Sequence, residues 1–311
     1  MEESKIDKSS LLEGDTSTEV SSVEQTTAKI LASQQKMNRR FYCDALDDED
    51  VNTVVEQVIP HVVTLLGFSD FGKSTFVASL YYYLMRKGRI GDYNFYDSDT
   101  FSGFERRAYI RNERLNTIKR SLRTNDGEGH FLSLYFEKNN TCFELVLSDR
   151  SGETYSKLYV NDEDKVLGDR GLKNSKHLIF FIDASVFIDA SKRIIFKNSF
   201  NKFSKRLNSA GIFNSNQVVD VIFNKMDMIA GEKTASEDDK VEQQFVEKSK
   251  EFIAKLESCI GQNTNRIFYI SSLNVDNNPQ LIEVFEYLVK CCESEKTFNS
   301  RVNWVSELLK F

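Results

Sequence analysis

Long apolar runs are missing from the 311 residues. None approaches the ~18–20 residues that span a bilayer, and the most apolar stretch, 177–185, is broken by Asp183. A membrane span is therefore not expected. The opening Met-Glu-Glu-Ser-Lys has no hydrophobic signal region and no glycine for myristoylation, and the closing Leu-Leu-Lys-Phe is not a prenylation box. Histidine is scarce: His61, His130 and His177 lie far apart in sequence and read as surface or core imidazoles, not as a metal site. The five cysteines (Cys43, Cys142, Cys259, Cys291 and Cys292) show no CxxC spacing. Reduced thiols in a cytoplasmic protein are the expectation. The two prolines, Pro60 and Pro279, stand near element boundaries.

A basic excess is also lacking. The chain carries 47 acids and 41 bases, a net charge of -6. Residues 41–56 hold six acids (Asp44, Asp47, Asp48, Glu49, Asp50 and Glu56) and no base, which equals the whole imbalance. The remaining body is close to neutral, so nucleic-acid binding is not indicated. Aromatics reach 12%, with 24 phenylalanines, enough for a sizeable core.

Residues 1–40 are rich in Ser, Thr, Glu, Lys and Gln and are expected to be a disordered leader. Residues 41–59 form an acidic lead-in segment with helical character, its apolar contacts Leu46, Val51, Val54 and Val55. From 60 to 295 short apolar runs alternate with amphipathic segments. Strands are expected at 62–66, 130–136, 143–147, 178–182, 218–223 and 267–270. Helices are expected at 74–86, 192–207, 241–260 and 281–291. This alternation specifies an α/β fold, a mostly parallel sheet covered by helices on both faces. Residues 296–311 form an amphipathic tail with Trp304, Val305, Leu308 and Leu309, suited to its own domain or to a partner groove.

Ligands of such sheets bind at the carboxyl ends of the strands, and three motifs fall there. The first strand runs into Gly67-Phe68-Ser69-Asp70-Phe71-Gly72-Lys73-Ser74-Thr75, a GxxxxGKS loop between strand and helix. Its glycines let backbone amides wrap a phosphate chain. Lys73 is placed to contact the β- and γ-phosphates, and Ser74 to ligate Mg²⁺. The strand at 218–223 ends in Asn224-Lys225-Met226-Asp227, an NKxD sequence. The Asp227 carboxylate offers two acceptors to the adjacent N1–H and N2–H₂ donors of guanine. Asn224 and the Lys225 stem would shape that pocket, with Ser271 and Ser272 behind the base. The strand at 143–147 ends in Ser148-Asp149-Arg150-Ser151-Gly152-Glu153, a DxxG sequence. Asp149 would hold Mg²⁺ through water, and the Gly152 N–H would sense the γ-phosphate.

As an ordered set, these motifs resemble P-loop GTPases of the translation-factor/Ras-like class. The stretch Asp149 to Tyr155, with Gly103-Phe104-Glu105-Arg106-Arg107 upstream, also resembles poorly characterised GTPases of bacterial conflict systems. The resemblance implies a Ras-like domain, GTP/GDP as ligand, Mg²⁺ as cofactor and a protein effector or assembly partner, with a homodimer one form of it.

Several positions depart from the family pattern. Lys73 and Asp149 are 76 positions apart, which implies an insertion in the first switch region. The switch threonine is Thr100, Thr117 or Thr124, and Thr124 lies where the family places it. Residues 86–123 carry ten bases against five acids. One of these can act as an arginine finger in cis, Arg123 being nearest to Thr124, or the set can be a solvated basic surface. Glu153 stands where many relatives carry glutamine. Ionised Glu only accepts hydrogen bonds, so slow intrinsic turnover is expected. Asp70 is either a turn residue or a helper for a monovalent cation. Two functions follow: a Mg²⁺-dependent GTPase switch, or a GTP-binding assembly subunit with slow or no hydrolysis.

Overall fold

The computed structural model describes residues 44–47, 60–111, 130–213, 217–229, 235–262, 264–273, 275 and 278–294. β1 (His61–Leu66) leads through the glycine loop into α1 (Lys73–Lys87). A small hairpin, β2 (Arg89–Ile90) and β3 (Tyr93–Asp97), is followed by α2 (Phe101–Arg111). β4 (Phe131–Lys138) and β5 (Thr141–Ser148) make a second hairpin. Next come a π-helical turn at Thr154–Tyr159, α3 (Glu163–Gly168), α4 (Arg170–Asn174) and β6 (His177–Asp183). The described residues continue through α5 (Ala190–Ser209), β7 (Val218–Asn224), α6 (Ala235–Ile260), β8 (Arg266–Tyr269) and α7 (Pro279–Ser294).

Among the described residues one sheet contains all eight strands, in the order β2-β3-β4-β5-β1-β6-β7-β8. β5, β1, β6, β7 and β8 pair in parallel, and β4, β3 and β2 extend the sheet antiparallel. This is the mostly parallel Ras-like α/β architecture that the motif order implied. The insertion takes the form of the β2–β3 hairpin and α2, between α1 and β4. Parallel pairing brings Leu66, Ser148, Asp183, Asn224 and Tyr269 to the same edge, and the functional loops leave from there.

The sequence accounts for the burial. β6 is buried at every residue, as an unbroken apolar run must be when helices cover both faces of the sheet. On one face Phe76 of α1 packs against Phe181 and against Phe285 of α7, with ring centroids 5.1 and 5.2 Å away. On the other, Phe200 of α5 meets Phe180 at 5.5 Å and Phe252 of α6 at 4.8 Å. In α7, Leu281, Val284, Phe285 and Leu288 recur at helical spacing and are all buried. Both prolines mark boundaries. Pro60 precedes β1, and Pro279 opens α7 behind Asn278, whose side chain accepts the Leu281 N–H at 3.0 Å. α1 stops at Gly88 (φ 66°), whose N–H bonds the Leu84 carbonyl at 2.7 Å.

The leader (1–40) and the tail (296–311) lie outside the described residues. Of the acidic lead-in, residues 44–47 are described. Leu46 pairs there with Phe131 as an antiparallel bridge, not as a helix residue, and Asp44 forms an ion pair with Arg106 of α2. Among the described residues no helix is long and apolar enough to cross a membrane.

Phe76 is fully buried between sheet and α7. Phe76→Ala should lower the unfolding free energy by about 3–5 kcal/mol, read as a shifted urea midpoint at unchanged slope. A loss below about 1 kcal/mol would contradict this packing.

Candidate nucleotide site

The glycine loop is fixed from beneath by its own aromatic residues. Phe68 lies 5.8 Å from Phe203 of α5, and Phe71 lies 5.6 Å from Phe196 (ring centroids). Asp70 (φ 64°) and Gly72 (φ 89°) turn the backbone through the left-handed region, which puts Asp70 at the turn. At Gly72 no side chain fits, because a Cβ would fall 2.1 Å from the Asn224 amide nitrogen. Lys73 is the first residue of α1 and is buried. Its Nζ donates to the Gly67 carbonyl at 2.6 Å and the Phe68 carbonyl at 3.3 Å, and lies 5.5 Å from the Tyr155 ring centre. Burial pulls its pKa down to about 8, against the opposing pull of Asp149 and, more weakly, Asp70. Ser74 and Thr75 follow in the first turn of α1.

Asp149, at the end of β5, is buried. One carboxylate oxygen accepts from Ser74 Oγ at 3.2 Å and the other from Arg107 Nε at 2.7 Å. Arg107 reaches in from α2, also donates to the Gly103 carbonyl at 3.0 Å, and keeps its Nη2 buried without a hydrogen-bond partner. A serine hydroxyl beside a carboxylate is a hard oxygen donor set, which fits Mg²⁺. Arg123, Thr117 and Thr124 lie outside the described residues. The alternative Thr100 is buried, and its Oγ1 accepts from the Ser133 N–H at 2.9 Å, which ties the turn before α2 to β4. Arg107 was not singled out as an individual residue; its signals were the excess of bases at 86–123 and the Gly103-Phe104-Glu105-Arg106-Arg107 stretch.

Gly152 presses backbone to backbone on the glycine loop. A Cβ there would lie 2.2 Å from the Ser69 nitrogen. Glu153 is turned to Lys157, whose Nζ is 2.6 Å from its carboxylate across one exposed helical turn.

Asn224 joins three loops. Its amide nitrogen donates to the Phe71 carbonyl at 2.9 Å, and its oxygen accepts from Ser272 N at 3.0 Å and Ser272 Oγ at 2.9 Å. Ser272 is fastened to α1 through its carbonyl, which accepts from Ser79 Oγ at 2.5 Å. The Ser271 carbonyl accepts from Asn278 at 2.7 Å. Lys225 (φ 62°) sends its ammonium to Asp183 at the end of β6, 2.6 Å away, a partner that no motif indicated. Asp227 follows in a 3₁₀ turn and is exposed.

A glycine loop, an Asp149 switch loop, an NKxD loop and a serine loop at one edge of this sheet define a P-loop GTP-binding protein. The model of the Double-GTPase 2 family matches residues 61–285, and the chain belongs to that family. No curated protein matches the chain. Among solved structures, it is similar to a bacterial selenocysteine-specific elongation factor, EF-Sec (15% identity, TM-score 0.36), over 76% of this chain but 29% of that one. It is also similar to the Arl6 BBS3 small GTPase of Trypanosoma brucei (18%, TM-score 0.35), over 75% and 96% of the two chains. The nucleolar GTP-binding protein 1 of Plasmodium falciparum (13%, TM-score 0.36) is similar over 77% and 92%. Family membership rests on the match at 61–285.

Lys73 gives the site a pH signature. Below pH 8 it is charged with or without ligand. Above its folded pKa of about 8 the ligand-free form is neutral, and a bound phosphate chain restores the charge. GDP affinity should therefore be flat from pH 6.5 to 7.5 and fall by up to about tenfold per unit above pH 8. Calorimetry at pH 8.5 in two buffers of different ionisation enthalpy should register proton uptake, and none would refute the lowered pKa.

Proposed function

We propose that the chain binds GTP at this edge and hydrolyses it to GDP and phosphate as a Mg²⁺-dependent switch. The observation that carries this reading is the convergence on one loop of a buried Lys73, the Ser74–Asp149 pair and the Asn224 clamp. Backbone amides of Gly67, Ser69, Asp70, Phe71 and Gly72 through Thr75 would wrap the phosphates, with the α1 N-terminus behind them. Lys73 exchanges the Gly67 and Phe68 carbonyls for phosphate oxygens. Asp227 reads the guanine edge, and Asn224, Lys225, Ser271 and Ser272 frame it. Ser74, Asp149 and Thr124 would hold Mg²⁺, which when bound neutralises charge on the phosphate oxygens.

Arg123, outside the described residues, stays a candidate for the arginine finger, and Arg107 is a second one from the same basic set. Arg107 neutralises Asp149 in the free protein, so it competes with Mg²⁺ for that carboxylate. Once displaced, its guanidinium lies next to the loop where negative charge develops during water attack. Gly152 would signal the γ-phosphate by leaving Ser69.

A second reading, a GTP-binding assembly subunit with slow or no turnover, is favoured by the Glu153–Lys157 pair. Ionised Glu153 has no proton to donate and is engaged elsewhere. Multiple-turnover phosphate release separates the two readings. The switch requires a rate well above that of Lys73→Ala, and the scaffold requires equal rates.

Asp227→Asn should weaken GTP at least about 100-fold, the value of two hydrogen bonds to a charged acceptor, and should favour XTP. Unchanged GTP affinity would remove Asp227 from the base pocket. Arg107→Ala should destabilise the ligand-free protein by about 3–5 kcal/mol by leaving Asp149 buried and uncompensated. In the same variant Mg²⁺ should bind the nucleotide complex more tightly and turnover should fall. Identical Mg²⁺ dependence and turnover would reduce Arg107 to a structural cation.

A further inference from the structure

We propose that His61, His177 and Cys291 form a metal site of the zinc class at the amino-terminal edge of the sheet, opposite the nucleotide loops. The histidines read as isolated because 116 positions separate His61 from His177. Strand pairing removes that separation. β1 and β6 are parallel neighbours with Val63 opposite His177, so His61, two residues before Val63 on the same face, brings its ring to that of His177. The two rings stand edge to face, their centroids 5.6 Å apart. Nε2 of His61 is 3.4 Å from Nδ1 of His177. Two imidazole nitrogens bound to a tetrahedral zinc at about 2.0–2.1 Å lie about 3.3–3.4 Å from each other. The Cys291 thiol enters from α7, and the three ligand atoms all fall within 4.8 Å of one another.

The surroundings support this use. His177 Nε2 is 2.7 Å from Asp220 Oδ2. A carboxylate there takes the Nε2–H and leaves the Nδ1 lone pair facing His61, the outer-shell support that metal-binding histidines have. Asp220 is itself fixed, its Oδ1 accepting from Arg266 N at 2.9 Å and Asn265 Nδ2 at 3.3 Å. It positions His177 and does not ligate. Imidazole with thiolate selects zinc over Mg²⁺, so this site and the oxygen-lined nucleotide site do not compete. His61 and His177 are buried, whereas Cys291 is partly exposed, which gives an ion an entry beside α7. On binding, Cys291 releases its thiol proton to solvent, and water takes the fourth position.

The test uses the full chain, stripped with a chelator and titrated first with Co²⁺ and then with Zn²⁺. One equivalent of Co²⁺ should give the visible bands of a tetrahedral centre and a thiolate charge-transfer band, both bleached by Zn²⁺. Cys291→Ser should abolish the charge-transfer band and weaken Zn²⁺ roughly 100-fold or more, and Asp220→Asn should weaken it roughly 10- to 100-fold. Cys142→Ser should change neither. Zn²⁺ should raise the melting temperature of the wild type and not that of Cys291→Ser, whose metal-free circular dichroism should match the wild type and so exclude misfolding. A missing cobalt spectrum, or zinc affinity and melting shift intact in Cys291→Ser, overturns the site and leaves a hydrogen-bonded His–His–Asp chain in the core.

Discussion

The carboxylate of Asp149 constrains the whole nucleotide edge. A charge taken out of water must be paired or it costs several kcal/mol, and Asp149 is completely buried. Ser74 meets it from α1 and Arg107 from α2. The arginine therefore ties the inserted helix to the phosphate loop. The neighbours of Arg107 keep α2 in place. Phe104 stacks on Tyr81 of α1 with centroids 5.3 Å apart, and Glu105 accepts from the Tyr81 hydroxyl. Gly103 admits the backbone of Ala45, which a Cβ would approach to 2.7 Å. Arg106 pairs with Asp44. Phe104, Glu105, Arg106 and Arg107 are thus all engaged in contacts, two of them with residues of the acidic lead-in or the phosphate loop edge: Arg106 with Asp44 and Arg107 with Asp149. A ligand that draws Asp149 from Arg107 acts on this entire unit, because the buried guanidinium then needs another anion.

Lys73 poses the same problem with the opposite charge. Its ammonium is buried, and two loop carbonyls are its hydrogen-bond acceptors. Two neutral acceptors do not replace water fully, which is why the lysine gives up its proton so readily. The loop around this lysine is braced in other ways: Phe68 and Phe71 beneath it and Asn224 across it.

Much of this was legible in the sequence. β6 and β7 appeared as apolar runs because both of their faces are buried, and α7 appeared through its period. The glycine loop and NKxD were legible because each is local. The β2–β3 hairpin was not, since β2 has two residues and the exposed face of β3 carries the aromatic Tyr96, which blurs the alternation of Tyr93 and Phe95 with Asn94. Arg107 stood among ten bases and in the Gly103–Arg107 stretch, and its ion pair with Asp149 across the fold is what distinguishes it from the others. The Lys225–Asp183 pair and the His61–His177 pair depend on the register between parallel strands, which crossover connections set and no local pattern encodes. The acidic lead-in was legible as charge, but Leu46 shows that strand pairing with Phe131 outweighs helical tendency there.

The histidine cluster and the nucleotide loops occupy opposite ends of the same strands, and α7 is what connects them. Cys291 is about 1.7 turns beyond Phe285 on α7, and Phe285 touches Phe76 of the helix that begins with Lys73. A ligand shifts an equilibrium only by as much as it prefers one state. Metal held by His61, His177 and Cys291 favours α7 seated on the sheet. It therefore matters for nucleotide only to the extent that release of nucleotide needs α7 and α1 to separate. In the proposed hydrolysis neither Phe285 nor Phe76 is placed at the γ-phosphate. The coupling, where it exists, acts on how long nucleotide stays bound and not on the rate of bond cleavage.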